Sequence, residues 1–254
     1  MTSFHCLVRR EPHYRRDAIE TGLRRLGYMQ VQAPAPGPGN VLVIWNRKPV
    51  TDDALATMYE RAGGKVIVVE NAYAQKVDKT MYAMSLSQHH RGGPVGEGDR
   101  FSALGFEVKP WRSTPGGHVL ICAQRSIGSP SMASPPQWAE RMAEKVKALG
   151  LKPRIRQHPG NFKPTTPLVA DLMGAYACAV WSSGAGVAAL IEGIPVVYSA
   201  PTWICKTGAS AGLNNLGYGD ASRAHALHAM AWGQWTVAEI TSGEPFALLL
   251  KDAS

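Results

Sequence analysis

The sequence predicts an α/β protein built as two Rossmann-like domains, compact and facing across a cleft. Short β-branched runs alternate with amphipathic stretches, the pattern of βα units around a parallel sheet. The alternation occurs in two successive series, 1–110 and 111–254, each with three or more βα units. Runs such as NVLVIWN and KVIVVEN are apolar throughout, as strands covered by helices on both faces must be.

Each element follows from local signals. FHCLVR (Phe4 to Arg9) reads as the first strand. From Tyr14 to Leu26, Ile19, Leu23 and Leu26 recur at helical spacing among arginines, giving a solvated helix. Asn40 to Asn46 is the second strand; Thr51, Asp52 and Asp53 cap and charge the next helix, which stops at Gly63 and Gly64. Lys65 to Asn71 is a third buried strand. From Ala72 to Trp111 the pattern dissolves into a Gly- and His-rich stretch, too polar for a core, which reads as a functional loop and linker. The second series opens with GHVLICAQ (Gly117 to Gln124). A helix follows with Trp138, Met142, Val146 and Leu149 on one face, ending at Gly150. PRIRQHPG is a strand and loop, Leu168 to Gly174 a short helix, YACAVWSSGAG a strand into a Gly/Ser turn, VAALIEG a helix and IPVVYS a strand. HALHAMAWGQW reads as helical, before a polar tail.

Composition bounds the function. The chain has 254 residues, 45% hydrophobic and 18% charged, which is ordinary for a folded chain, and its net charge of +8 favours an anionic partner such as a nucleotide, nucleic acid or acidic glycan. No apolar run approaches a membrane span, so a cytoplasmic protein with no membrane partner is expected. Cys6, Cys122, Cys178 and Cys205 lie far apart with no CxxC, which argues against a disulfide framework or structural zinc and leaves buried or idle thiols. Neither GxGxxG nor GxxxxGK[ST] occurs, which removes weight from dinucleotide enzymes and P-loop kinases.

In parallel sheets, ligands bind outside the carboxyl ends of the strands. Three loops of the second half leave strands on that edge: AQRSIG (Ala123 to Gly128), RQHPGN (Arg156 to Asn161) and WSSGAG (Trp181 to Gly186). The first offers Arg125 for charge, with Ser126 and Gly128 for close backbone approach. The second pairs Arg156 with His158, able to bind phosphate oxygens and, if protonated at His158, to neutralise a leaving diphosphate. The third sets Ser182, Ser183 and Gly184 at a helix start, where free N–H groups favour an anion. Each also has a plainer reading: an N-cap, a loop histidine, a solvated arginine. Together they describe a pocket for a nucleotide phosphate.

The motifs QHPG and WSSGAGVAALIEGIPVV resemble the donor-binding domain of GT-B glycosyltransferases, in particular capsule, Kdo and sialic-acid transferases with a His-Pro and a later Ser-Ser motif. VKPWRS, VLICAQRSIGSP and RIRQHPGN also resemble phage and prophage glycosyltransferase-type proteins, including enzymes that decorate modified bases of phage DNA. The resemblance covers roughly residues 85 to 250. It implies a donor-binding domain at 111–254 with a helical tail, an acceptor-side domain at 1–110, and donor-phosphate contacts from His158 with Pro159 and Ser182 with Ser183. It departs at Ala188, where many GT-B enzymes place a ribose-binding Glu; Glu192 sits directly before Gly193 instead, so base and sugar stay open.

An inverting transfer needs a general base in the first half. Glu70, at the carboxyl edge of a buried strand with a pKa expected to be raised by burial, is first choice; His90 is second. His89 and Arg91 are expected to touch the acceptor, and Asp99 is a further carboxylate to weigh. Each is equally readable as a strand-end or loop residue. Arg9, Arg10, Arg15, Arg16, Arg24 and Arg25 give the first 25 residues a local excess of three positive charges, a surface that would suit DNA phosphate. Trp45, Trp111, Trp181 and Trp203 could stack on a base or sugar, or be core. The expectation is a metal-independent glycosyltransferase with no cofactor, a nucleotide sugar as donor and the hydroxyl of a hydroxymethylated pyrimidine in double-stranded DNA as acceptor, working in the cytoplasm of a phage host. The alternatives are a capsule- or lipopolysaccharide-type acceptor and a non-catalytic nucleic-acid-binding protein.

Overall fold

Strand β1 (Ser3–Cys6) opens the computed structural model, which describes residues 2–33, 35–75, 80–129, 132–160 and 165–251. A short 3-10 turn, Pro12–Tyr14, precedes helix α1 (Arg16–Arg25), so the helix begins later than its periodicity suggests. Strand β2 (Met29–Gln30), strand β3 (Val41–Trp45), helix α2 (Asp53–Arg61) and strand β4 (Lys65–Asn71) follow. In β3, Val41, Val43 and Trp45 join one core cluster while Leu42 and Ile44 join another against Ala56 and Tyr59 of α2. That two-residue alternation, apolar on both sides, is why the run shows no polar position.

The stretch 72–111 corrects the expectation of a continuous loop. It contains strand β5 (Met81–Leu86), buried from Met81 to Ser85 and antiparallel to β4, and a single-turn helix α3 (Arg100–Ala103). The second sheet comprises strands β6 (His118–Cys122), β7 (Lys152–Arg156), β8 (Ala175–Val180) and β9 (Val196–Tyr198), interleaved with helices α4 (Trp138–Ala148), α5 (Leu168–Met173) and α6 (Gly184–Ile191). It is parallel throughout, in the order β7-β6-β8-β9. Trp138, Met142 and Val146 of α4 bury against Val119, Ile121, Ala177 and Ala179.

Helix α7 (Asp220–Ala231) ends where Trp232-Gly-Gln-Trp leaves helical periodicity. Instead of extending the helix, Gln234–Thr236 forms strand β10, antiparallel to β5. The tail is not polar surface either. Helix α8 (Val237–Ser242) starts with a Thr236/Glu239 capping box, and α9 (Glu244–Leu250) buries Phe246, Leu249 and Leu250 in the core of the first sheet. Gly22 of α1 permits this, since a Cβ there would lie 2.0 Å from the Ile240 carbonyl oxygen of α8. The first sheet therefore runs β10-β5-β4-β3-β1-β2, parallel from β4 to β2 and antiparallel at β5 and β10.

By packing, the chain forms two units, drawn from Met1–Gly96, Gly128–Pro130 and Trp232–Ser254, and from Glu97–Ile127 and Ser131–Ala231. The break at 231/232 arises because the helical tail completes the first sheet rather than covering the second, and the break at 96/97 differs from the expected 110/111 because Arg100 and Lys109 bond to the Ala231 and Ile191 carbonyl oxygens of the second unit.

Candidate active site

The second sheet changes direction at β6, with β7 on one side and β8 on the other, which opens a crevice outside the strand ends. A cavity of about 190 Å³ lies there, lined among others by Arg156, His158, Leu168, Ser183 and Ala185. Ser183 is the N-cap of α6: its backbone is extended and its Oγ accepts the Ala185 N–H at 3.1 Å. Gly184 opens the helix, whose N-terminal dipole end thus faces an anion-sized space. His158 accepts the Gly160 N–H through Nδ1 at 2.9 Å, which fixes Nε2 as the protonated nitrogen of the neutral ring. Burial, then the nearby Arg125 charge, lower the His158 pKa. Both effects favour the neutral ring, an Nε2–H donor, over the protonated form on which neutralising a diphosphate would depend. The Arg125 guanidinium lies beside Gly160, where an added Cβ would come within 2.9 Å of it.

Arg156 lines the cavity but is tied behind it to Asp171, a buried carboxylate that also takes Arg154 and the Thr166 hydroxyl. Asp171 was not readable as a site residue: it looks like one acid in a short helix. Burial pushes its pKa up, yet Thr166, Arg156 and Arg154 together bring it below the ordinary value.

Three of the expected donor-side residues do not line this cavity. Ser182 is 1% exposed and gives its backbone N–H to Gln124 Oε1 at 2.7 Å, so it ties the β6 and β8 loops from inside rather than facing the cavity. Ser126, in a left-handed conformation (φ 52°), lies 3.3 Å from the Ser134 hydroxyl and lines a separate polar cavity of about 150 Å³. Gly128 packs with the first unit; its φ of +124° and the His89 Cε1 atom 2.1 Å from a built Cβ explain the glycine without any phosphate. Asn161, the last residue of the second loop, lies outside the described residues.

In the first unit, Glu70 near the end of β4 is buried and accepts the His90 N–H on Oε1 at 2.8 Å, while Oε2 lies 2.8 Å from His90 Nε2. Burial pushes the Glu70 pKa up, but His90 and His89 outweigh it and hold the carboxylate below its ordinary value, contrary to the raised pKa expected from burial alone. His90 has φ +57°, and its ring stands 5.7 Å from Tyr73 and 4.9 Å from His89. His89 is 4% exposed and interior, so it does not offer the acceptor contact expected of it; Arg91 is exposed on the loop. Asp99 packs with the second unit, where its Oδ1 caps α3 through the Ser102 N–H at 3.1 Å.

Other expected groups have structural duties. Glu192 holds Lys109 at 2.7 Å and Arg112 at 3.0 Å. Trp45 and Trp203 are core, Trp181 donates to the Met132 carbonyl oxygen, and Trp111 lies under Arg223, whose guanidinium carbon is 3.8 Å from the ring centre. Among the arginines meant for DNA, Arg15 pairs with Asp17, and Arg16 and Arg24 with Glu20. All four cysteines are buried and free. The run GASAG (Gly208 to Gly212) spells a G-x-S-x-G elbow, but Ser210 is in extended backbone beside Val197 and its Oγ accepts the Gly217 N–H, so it sits on no strand-to-helix turn. Among the described residues no three His, Cys, Asp or Glu gather to hold a metal, and no helix is long and apolar enough to cross a membrane.

No protein-family model matches the chain, and no curated protein sequence does. Solved structures do. The beta Kdo 2,7 transferase of Thermosulfurimonas dismutans KpsC is 12% identical, covers 96% of this chain and 98% of its own, and superposes with a TM-score of 0.50. The beta Kdo 2,4 transferase of the same protein is 11% identical over 91% of this chain and 90% of its own, with a TM-score of 0.49. At such identity the first likeness speaks for the α/β fold.

Proposed function

We propose that the chain is a glycosyltransferase of the GT-B type, using a nucleotide sugar without a metal or cofactor and acting on a glycan hydroxyl. The observation that carries the reading is the meeting of Arg156, His158 and Ser183 around one cavity of the second unit, with the Arg125 charge beside His158. There a guanidinium, a neutral Nε2–H donor and a helix N-terminus answer the negative charge that grows on the departing nucleotide phosphate. Arg156 is steadied by Asp171, and Arg125 adds a second guanidinium. In the first unit His90 takes the role of base. Nε2 faces Glu70, so Nδ1 is the atom proposed to receive the acceptor proton. Glu70, with both oxygens turned to His90, positions that ring and stabilises its charged form, which reverses the order expected from sequence. The acceptor oxygen attacks the anomeric carbon as the sugar–phosphate bond breaks. The similarity in fold to a beta Kdo 2,7 transferase supports a glycan acceptor. The DNA reading keeps the net charge of +8 and Arg9, Arg10 and Arg25, since the other three of its six arginines are paired with neighbouring acids. The cytoplasmic setting belongs to the same proposal.

The test is a thermal-shift screen against UDP-, CDP-, CMP- and GDP-linked sugars, followed by transfer of label to oligosaccharide or to hydroxymethylated DNA. One donor class is expected to raise the midpoint, corresponding to about 2.7 kcal/mol at a hundredfold excess over Kd. His158→Ala should remove most of that rise, and label should reach oligosaccharide. A protein that retains DNA but responds to no nucleotide sugar would be a binding protein on this fold, and the enzymatic reading would fall.

A further inference from the structure

Arg47 lies two residues beyond the end of β3 and is 3% exposed, an arginine folded into the first unit rather than onto its surface. The sequence supplies its partners at helical spacing. Asp53, Thr57 and Glu60 of α2 stand at i, i+4 and i+7, one polar stripe of the helix. Arg47 meets all three: Nε donates to Asp53 Oδ1 at 2.7 Å, Nη1 to Glu60 Oε1 at 2.7 Å, and Nη2 to Glu60 Oε2 at 3.1 Å and Thr57 Oγ1 at 3.2 Å. Nη1 also donates to the Ser87 carbonyl oxygen at 2.6 Å. That last bond is the informative one. A buried ion cluster is weak evidence for stability, because well-packed apolar groups often serve as well. A bond to one backbone oxygen of a distant turn fixes a position instead.

Ser87 opens the turn that ends in His90. Its N–H donates to the Val66 carbonyl oxygen at 2.9 Å, Ser85 Oγ donates to the Gln88 carbonyl oxygen at 2.5 Å, and Glu70 takes the His90 N–H at 2.8 Å. Arg47 therefore holds one end of the turn and Glu70 the other. The backbone shows that both are needed: Asn46 (φ 66°), Arg47 (φ 37°), Ser87 (φ 67°) and His90 (φ 57°) all lie in the left-handed region. Four of the seven described non-glycine residues in that region thus fall in two turns joined by one guanidinium. Such conformations persist only where their surroundings impose them. A lysine could not do the same, because a single ammonium lacks the planar fork that reaches two carboxylates and a carbonyl oxygen together. We infer that Arg47 is a positioning residue: braced on α2, it sets the Ser87–His90 turn so that His90 presents Nε2 to Glu70. The inference rests on the transferase reading only where His90 is called a base; the placing of the ring stands apart from it.

The experiment records two-bond proton–nitrogen NMR spectra of the histidine rings in the intact protein, across the range in which imidazoles titrate, with His90 assigned by the loss of its signals in His90→Gln. The wild type should show the neutral His90 ring as one tautomer, with its hydrogen on Nε2. Arg47→Lys should show both tautomers in exchange, and should lower kcat by about tenfold with KM and the nucleotide-sugar thermal shift unchanged. Arg47→Gln/Asp53→Asn/Glu60→Gln, which leaves no unpaired charge inside, carries the same expectation and serves if the lysine variant does not fold. Phe246→Leu, in the core cluster that contains α9, is the control for lowered stability, and should reduce Tm without changing the His90 spectrum. Both tautomers in the wild type, a wild-type His90 spectrum in the Arg47 variants, or the same mixture in Phe246→Leu would overturn the inference. A changed His90 spectrum with undiminished kcat would end the role of His90 as base and leave Arg47 its positioning duty; absence of transfer to any acceptor would end the transferase reading alone.

Discussion

The carboxyl edges of the two sheets are built on opposite plans. In the second unit Arg156, His158 and the start of α6 line a small cavity, with the Arg125 charge beside His158, and the acid Asp171 is bonded to Arg156. In the first unit the acid lies at the heart of the site, Glu70 under His90. On the proposed function the edge of the second unit would cradle an anion and that of the first would accept a proton, the difference being that Asp171 is spent on arginines whereas Glu70 is turned to a histidine.

The contrast can be broken most directly at Glu70. Glu70→Gln keeps the shape and removes the charge, and should lower kcat by about a hundredfold or more with little change in donor binding. An equal loss of donor thermal shift would mean the two edges are not separate in function. Next in size is Asp171→Asn. Removing one partner of a buried charge cluster should destabilise the protein by about 3 kcal/mol in urea melts. The Asp171 carboxyl is held below its unfolded value, so its stabilising contribution is complete above about pH 4 and disappears as the pH falls through the folded value. The wild-type advantage over the Asn variant should shrink in that window and stay flat from there to neutrality. The smallest effect is expected for Ser183→Ala, about 1 kcal/mol from the lost α6 cap, and Ser183→Gly should cost only a few tenths. A much larger loss would show that the serine supports more than a helix end.

The sequence exposed most of the second sheet because each of its strands is followed by its own helix, and the hydrophobic period changes visibly from two to 3.6 residues. It did not expose β5 and β10. Gln234–Thr236 pairs with Met81–Ala83 across some hundred and fifty residues, and no local signal marks such a partner. The three rim loops could be read from strand order alone, yet their individual duties could not. Ser182 and Ser183 look interchangeable in WSSGAG, while burial sends one inward and leaves the other at the cavity. Nor does spacing reveal that the Gly160 N–H fixes the His158 tautomer, or that two histidines outweigh the effect of burial on Glu70.

The return of β10, α8 and α9 to the first sheet has a consequence for dissection of the chain. Residues 97–231 contain the whole of the second unit in one stretch. The first sheet, without residues 232–251, would keep the outer edge of β5 unpaired and lose Phe246, Leu249 and Leu250 from its core. A chain cut just after Ala231 would thus retain every segment of the second body and leave the first one open.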